Sequence, residues 1–190
     1  MPLNIPNLIT WLRILLIPVF VSVFYLSDHT LSPYLKNLCA AAVFLLASIT
    51  DWLDGYLARK LDQYSAFGAF LDPVADKLMV SAALIVLLSL GRIDEFVALV
   101  IIGREIAVSA LREWMAQLGK SSSVAVNWFG KVKTIAQMVA IPMLLYHDRL
   151  FGVIDVHLIG TVLIYIAAVL TVYSMLVYLR LAWPHLSDAK

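Results

Sequence analysis

Four aspartates hold the chemistry open to this 190-residue sequence. Asp51 and Asp54 stand three residues apart and Asp72 and Asp76 four apart, spacings that put each pair on one face of a helix. The eight residues 60–67 between the two segments predict a short loop and an antiparallel hairpin, so that the pairs face each other at one depth. Four carboxylates converging at the edge of hydrocarbon repel one another unless something neutralises them. They either take up protons or bind divalent cations, for which an all-oxygen donor set suits Mg²⁺ or Mn²⁺. Two cations bridged by carboxylates can clamp a phosphoryl group and stabilise both its attacking and its leaving oxygen. Gly55, Ala58 and Gly68 lie on or beside the same faces, where the lack of a bulky side chain admits a ligand or a neighbouring backbone. Arg59, about one turn beyond Asp54, is placed to meet a diphosphate or to anchor its helix at the membrane surface.

The elements that carry these residues are set by composition. The chain is 62% hydrophobic and 14% charged, with mean hydropathy +0.89. A soluble domain carries roughly 25% charged residues, so lipid is the expected solvent. Six apolar segments appear, at 9–26, 35–57, 67–90, 96–115, 124–146 and 156–182. The reading is an all-α integral membrane bundle of six transmembrane helices, with a short N-terminal interfacial segment at 2–7. Strands are excluded from the spans because an open sheet edge cannot exist in hydrocarbon and the alternation of a barrel is missing. The first apolar segment is read as a retained span rather than a cleaved leader, since no small-residue cleavage site follows it. The third and fourth segments carry Asp72, Asp76, Arg104 and Glu105, which a lipid-exposed span would not tolerate. Pro73 must kink the third or sit near its start.

Residues 1–190 are expected to form a single domain, since no repeat, linker or low-complexity tract interrupts them. Arg59, Lys60, Arg112, Lys120, Lys131, Lys133, Arg180 and Lys190 fall on the side of the two termini, against Lys36, Arg92 and Arg149 on the other. That bias places both termini and the aspartates on the cytoplasmic side. Cys39 stands alone, so the chain can form no internal disulfide, and the four histidines show no metal-ligand spacing. No nucleic-acid partner is expected.

The pattern Asp51-x2-Asp54-Gly55-x2-Ala58-Arg59-x8-Gly68-x3-Asp72-x3-Asp76 resembles the signature of the CDP-alcohol phosphatidyltransferase family, with every fixed position filled. The resemblance extends over essentially the whole chain. It implies that Asp51, Asp54, Asp72 and Asp76 ligate two metal ions, and that Asp76 is also the general base toward the attacking hydroxyl. It further implies that Asn7, Thr10, Gly55, Ala58, Arg59, Ser65 and Gly68 surround the CDP-diacylglycerol donor, and that the enzyme is a homodimer.

Outer stretches, from Asn7 to Arg13, from Gly103 to Trp114 and from Ser122 to Thr134, resemble bacterial members whose acceptor is glycerol 3-phosphate. They imply a bacterial inner membrane enzyme. An acceptor that carries a phosphate needs a basic pocket, for which Arg104, Arg112, Lys131 and Lys133 are the candidates and Lys77 a lesser one. Arg104 and Arg112 are eight apart and share a helix face. Arg112 and the two lysines also read as membrane anchors or contacts to anionic lipid. The signature alone leaves other acceptors open, among them inositol phosphate, serine and phosphatidylglycerol. A cation-coupled transporter is the competing class, although such proteins more often show repeats and broken helices at the bilayer midplane.

Overall fold

A computed structural model describes residues 5–61, 65–119 and 128–185; within these, nothing is said of the side chains at 5, 6, 52, 54–59, 61, 66, 69, 129, 131 and 185. The described residues form six α-helices: α1 Ile5–Ser22, α2 Pro33–Leu61, α3 Ala66–Ser89, α4 Glu95–Gln117, α5 Trp128–Tyr146 and α6 Val156–Ala182. Short 3₁₀ turns extend α1 and α6 at Val23–Tyr25 and Trp183–His185. Among the described residues three stretches are long and apolar enough to cross a membrane, Asn7–Tyr25, Pro33–Asp51 and Val156–Ala182, and Val132–Tyr146 is a shorter apolar one. Charged residues dilute the apolar character of α3 and α4.

Two boundaries differ from expectation in ways that matter for the aspartates. Helix α2 runs on to Leu61, so Asp51, Asp54, Gly55, Ala58 and Arg59 all lie on one helix. Helix α3 begins at Ala66, because the Ser65 hydroxyl accepts from the Gly68 N–H at 2.9 Å and caps it. Only residues 62–65 therefore separate the two helices, rather than a loop of eight. At the N-terminus, residues 5–7 already belong to α1, and the rest of the expected interfacial segment lies outside the described residues. Residues 120–127, with the Ser122–Ser123 stretch, lie outside them too.

Strands were excluded from the spans, and the structure adds one small exception in a connection. Arg149–Leu150 and Ile154–Asp155 pair antiparallel as β1 and β2 between α5 and α6, closed by a turn in which Phe151 and Gly152 have positive φ. Beside it, His147 and His157 come together with ring centroids 4.4 Å apart, a meeting their ten-residue separation did not advertise. The His147 imidazole sits below its ordinary pKa, through burial first and the nearby Arg92 charge second.

The apolar core occupies the half of the bundle away from the aspartates. Phe20, Phe44, Leu84, Leu87, Ile101, Ile141, Leu144 and Ile164 fill it, contributed by all six helices. Gly160 lets α6 come close to α5: a Cβ there would sit 3.0 Å from Leu144 and 3.1 Å from Met143. Many large apolar side chains face outward, as lipid contact requires, Leu15, Leu99, Ile135 and Val169 among them.

This far half is stapled by Arg92, in the α3–α4 connection. Its guanidinium donates to the Leu144 and Leu145 carbonyls at 3.0 and 2.7 Å and to Asn37 Oδ1 at 2.7 Å, satisfying the end of α5. Arg92→Met is expected to cost about 1–3 kcal/mol of stability. Thermal unfolding in detergent would read this, with activity per folded molecule unchanged, because the staple is remote from the aspartates. Nearby, Asp94 caps α4 through the Val97 N–H at 2.9 Å and also accepts from the Tyr165 hydroxyl. These bonds, the Tyr165 one first, hold its carboxyl below the usual range.

Candidate active site

The polar half of the bundle is assembled around α1. This helix packs on both α2 and α3, which make fewer contacts with each other. Helix α1 thus lies against both arms of the expected hairpin. Two side chains of α1 bind the two arms. Arg13 Nη1 donates to Asp51 Oδ1 at 2.6 Å, and the Thr10 hydroxyl donates to Asp72 Oδ1 at 2.5 Å. Arg13 is 1% exposed and Thr10 fully buried. An arginine so deep in a bundle needs a counter-charge, and Asp51 supplies it.

One turn before Thr10, Asn7 extends the contact with the start of α3. Its Oδ1 accepts from Ser65 Oγ at 3.0 Å, and Ser65 in turn caps α3 at Gly68. A Cβ at position 68 would collide with Asn7 Oδ1 and stand 3.0 Å from Ser65 Oγ. The signature glycine thus makes room for a side chain from α1, and any larger residue would displace Asn7. Trp11 stacks on Phe67 at 6.4 Å and tightens the contact. Asn7, Thr10, Ser65 and Gly68, four residues expected near the donor, thus form one cluster with Asp72.

Asp76 stands apart from these pairs, at the meeting of two small recesses. One is lined by Arg13, Phe44, Ser48, Met79 and Met138. The other lies between α3, α4 and α5 and is lined by Lys77, Glu105, Lys133, Thr134 and Gln137. Asp76 therefore has Arg13 on one side and Lys133 on the other.

Lys133, 2% exposed, donates to Glu105, which also accepts from Arg104 Nη1 at 3.3 Å. Arg104 continues to Ser174 Oγ at 3.0 Å, and its guanidinium lies 5.7 Å from the Tyr178 ring centroid. Arg112, on the same face of α4, lies 5.2 Å from that centroid and donates to the Tyr178 hydroxyl at 2.8 Å. The basic candidates thus form a line, Lys133, Arg104, Arg112, that enters the Asp76 recess at its Lys133 end. The buried Nε atoms of Arg104 and Arg112 have no hydrogen-bond partner among the described residues. Lys131 lies on α5, but its side chain is outside the described set, as are those of Asp54, Gly55, Ala58 and Arg59.

Arg13 and Glu105 were not among the sequence candidates. Arg13 entered only as the end of an outer stretch and Glu105 only as one of the charges that a lipid-exposed fourth segment would not tolerate. The signal available was the general one, that ionisable residues inside spans are seldom idle.

Among the described residues no three His, Cys, Asp or Glu side chains converge at metal-binding distance. The donor chemistry nonetheless fits hard divalent cations. Asp51, Asp72 and Asp76 offer only oxygen, and Asp51 and Asp72 each meet their α1 partner through Oδ1. Arg13 already places positive charge on Asp51.

Comparison with known proteins adds an independent line. A family model described as CDP-alcohol phosphatidyltransferase matches residues 3–173. The chain is similar to proteins named CDP-diacylglycerol–glycerol-3-phosphate 3-phosphatidyltransferase from Shigella flexneri serotype 5b (strain 8401), Shigella boydii serotype 4 (strain Sb227) and Escherichia coli (strain K12). Each is 51% identical, with 99% of this chain and 100% of the relative covered.

Proposed function

Because this chain belongs to the CDP-alcohol phosphatidyltransferase family, we propose that it transfers the phosphatidyl group of CDP-diacylglycerol to glycerol 3-phosphate, giving phosphatidylglycerol phosphate and CMP. The observation that carries this reading is the position of Asp76 between the Arg13 recess and the Lys133 recess. Displacement at phosphorus requires nucleophile and leaving group roughly in line, and a carboxylate shared by two adjoining recesses, one lined by Arg13 and one by Lys133, can serve donor and acceptor at once.

The step balances as follows. The acceptor hydroxyl gives its proton to the Asp76 carboxylate. Its oxygen bonds to the phosphorus that carries the diacylglycerol oxygen, the bond from that phosphorus to the oxygen bridging to CMP breaks, and CMP leaves with the electron pair. Thr10, Asn7 and Ser65 hold the Asp72 arm of the donor site in register. Gly55, Ala58 and Arg59 complete that site from α2. Lys133, with Arg104 and Arg112 behind it and Lys131 nearby in sequence, takes the acceptor phosphate, exchanging Glu105 for it. Two divalent cations, Mg²⁺ or Mn²⁺, held by Asp51, Asp54, Asp72 and Asp76, would supply charge to neutralise the diphosphate.

In this reading residues 1–190 act as one membrane domain of six crossings, in the bacterial inner membrane. Both termini and the aspartates face the cytoplasm, and a second copy completes a homodimer. Support for the crossings comes from length. At 1.5 Å per residue, even the 18-residue α1 reaches about 27 Å, close to the thickness of a hydrocarbon core. Trp128 and Trp183 begin and follow helices at the aspartate end and are well exposed, as interface residues are.

The test is CMP release from CDP-diacylglycerol by purified protein in detergent. CMP is expected only when both glycerol 3-phosphate and Mg²⁺ or Mn²⁺ are present, and EDTA is expected to abolish it reversibly. Release driven instead by inositol phosphate, serine or phosphatidylglycerol would keep the chemistry and replace the acceptor. Absence of release with every alcohol would return the aspartates to a transport role.

A further inference from the structure

We propose that Gln137 recognises the second hydroxyl of the acceptor, the one that does not attack phosphorus, and thereby selects polyol phosphates. The proposal rests on the transfer to glycerol 3-phosphate set out above.

Gln137 lies on α5 one turn after Lys133, and the two share a helix face. Both line the recess that contains Asp76. Gln137 is 4% exposed, and its Oε1 is buried with no hydrogen-bond partner among the described residues. The other polar groups of α5 in that recess are already engaged. Lys133 donates to Glu105, and the Thr134 hydroxyl donates to the Gly130 carbonyl at 2.9 Å. An amide oxygen left unpaired in a protein interior is costly, and buried polar atoms of this kind are uncommon enough to need an explanation.

The chemistry of the atom narrows what completes it. A carbonyl oxygen only accepts, so its partner must bring an O–H or N–H. Phosphate and carboxylate groups at neutral pH bring none worth counting. Glycerol 3-phosphate has two hydroxyls. One loses its proton to Asp76, and the other, on the middle carbon, remains a donor. With the phosphate at Lys133 and the attacking oxygen at Asp76, the middle hydroxyl falls between them, in the recess that Gln137 lines. An acceptor without that hydroxyl leaves the amide unpaired in the complex, and a site built around a hydroxyl discriminates strongly against its absence.

The experiment compares two acceptors on two proteins. The acceptors are glycerol 3-phosphate and 3-hydroxypropyl phosphate, which lacks only the middle hydroxyl. The proteins are wild type and Gln137→Met, close in volume and unable to accept. Wild type is expected to prefer glycerol 3-phosphate by about ten- to a hundredfold in kcat/KM. In Gln137→Met the preference should shrink to a few-fold at most, with the loss confined to glycerol 3-phosphate and the deoxy acceptor used as well as by wild type. A variant that keeps the wild-type ratio, or loses equally on both acceptors, overturns the proposal. That second pattern is the one expected if a water alone satisfies Oε1, or if Gln137 merely supports the fold. A well-folded wild-type protein that releases no CMP with glycerol 3-phosphate overturns the transfer itself, and is recognised as such because it precedes any comparison of ratios.

Discussion

Asp76→Asn is expected to lower CMP release by about 10³-fold or more while leaving the protein folded, since the removal of a general base alone accounts for 10²–10⁴. Asparagine keeps the shape of the side chain and its ability to accept a hydrogen bond. What it loses is the negative charge and the basicity. Asp76 is also the carboxylate that both recesses share, so one substitution removes the proton acceptor from the side facing Lys133 and a source of negative charge from the side facing Arg13. The loss should appear in kcat. A variant that retains wild-type kcat and only raises KM for the acceptor would sink the assignment of Asp76 as base. Unfolding curves in detergent are the necessary control, and Asn is expected to leave them unchanged or slightly improved, because a partly buried charge has been removed.

The second large effect concerns Glu105. One of its oxygens receives both Lys133 and Arg104, whose side chains are 3% and 9% exposed. Removing the ionic partner of a buried charge typically costs about 3–5 kcal/mol, because the remaining ion is left in a low dielectric. Glu105→Gln is therefore expected to destabilise the protein by about that amount. The double variant Glu105→Gln with Lys133→Met should recover part of the loss, since one stranded cation has been removed. Measured as a thermodynamic cycle in detergent, the coupling must be clearly nonzero for adjacent ionic partners. Additive effects would mean that the bridge contributes little to holding α4 on α5. Activity is expected to be poor in both variants, so stability is the informative readout.

That Asp51 and Asp54 share one helix, and Asp72 and Asp76 another, was legible in the sequence because helical spacing is a local property. Three- and four-residue intervals place side chains on one face whatever else the protein does. The six helices were legible for the same reason: long apolar runs in a chain with few charges leave little choice of structure. Tertiary meetings were harder to see. Arg13 and Asp51 lie 38 residues apart, Lys133 and Glu105 28 apart, and neither pair leaves a periodic trace. The connection between α2 and α3 was overestimated because its polar composition masked helix continuation on one side and a serine cap on the other. The role of Gly68 could be stated only as a need for space. That the space is taken by Asn7 depends on the course of α1, which no spacing rule encodes.

The clasp of α1 on its neighbours also bears on how the protein is made. The chain emerges from the ribosome N-terminus first, so Arg13 enters the bilayer before Asp51 has been synthesised, and Thr10 before Asp72. An arginine alone in a nascent span is costly to insert, by about 2.5–3.5 kcal/mol near the helix centre. That cost is offset when its counter-charge arrives 38 residues later. Until then α1 is expected to linger near the insertion machinery, held in a position from which it can still turn. The arrival of α2 and then α3 would fix its rotation and depth together. A span that is reluctant to settle alone thus becomes the gauge against which the next two are aligned, and the order of synthesis becomes part of how the carboxylates reach their places.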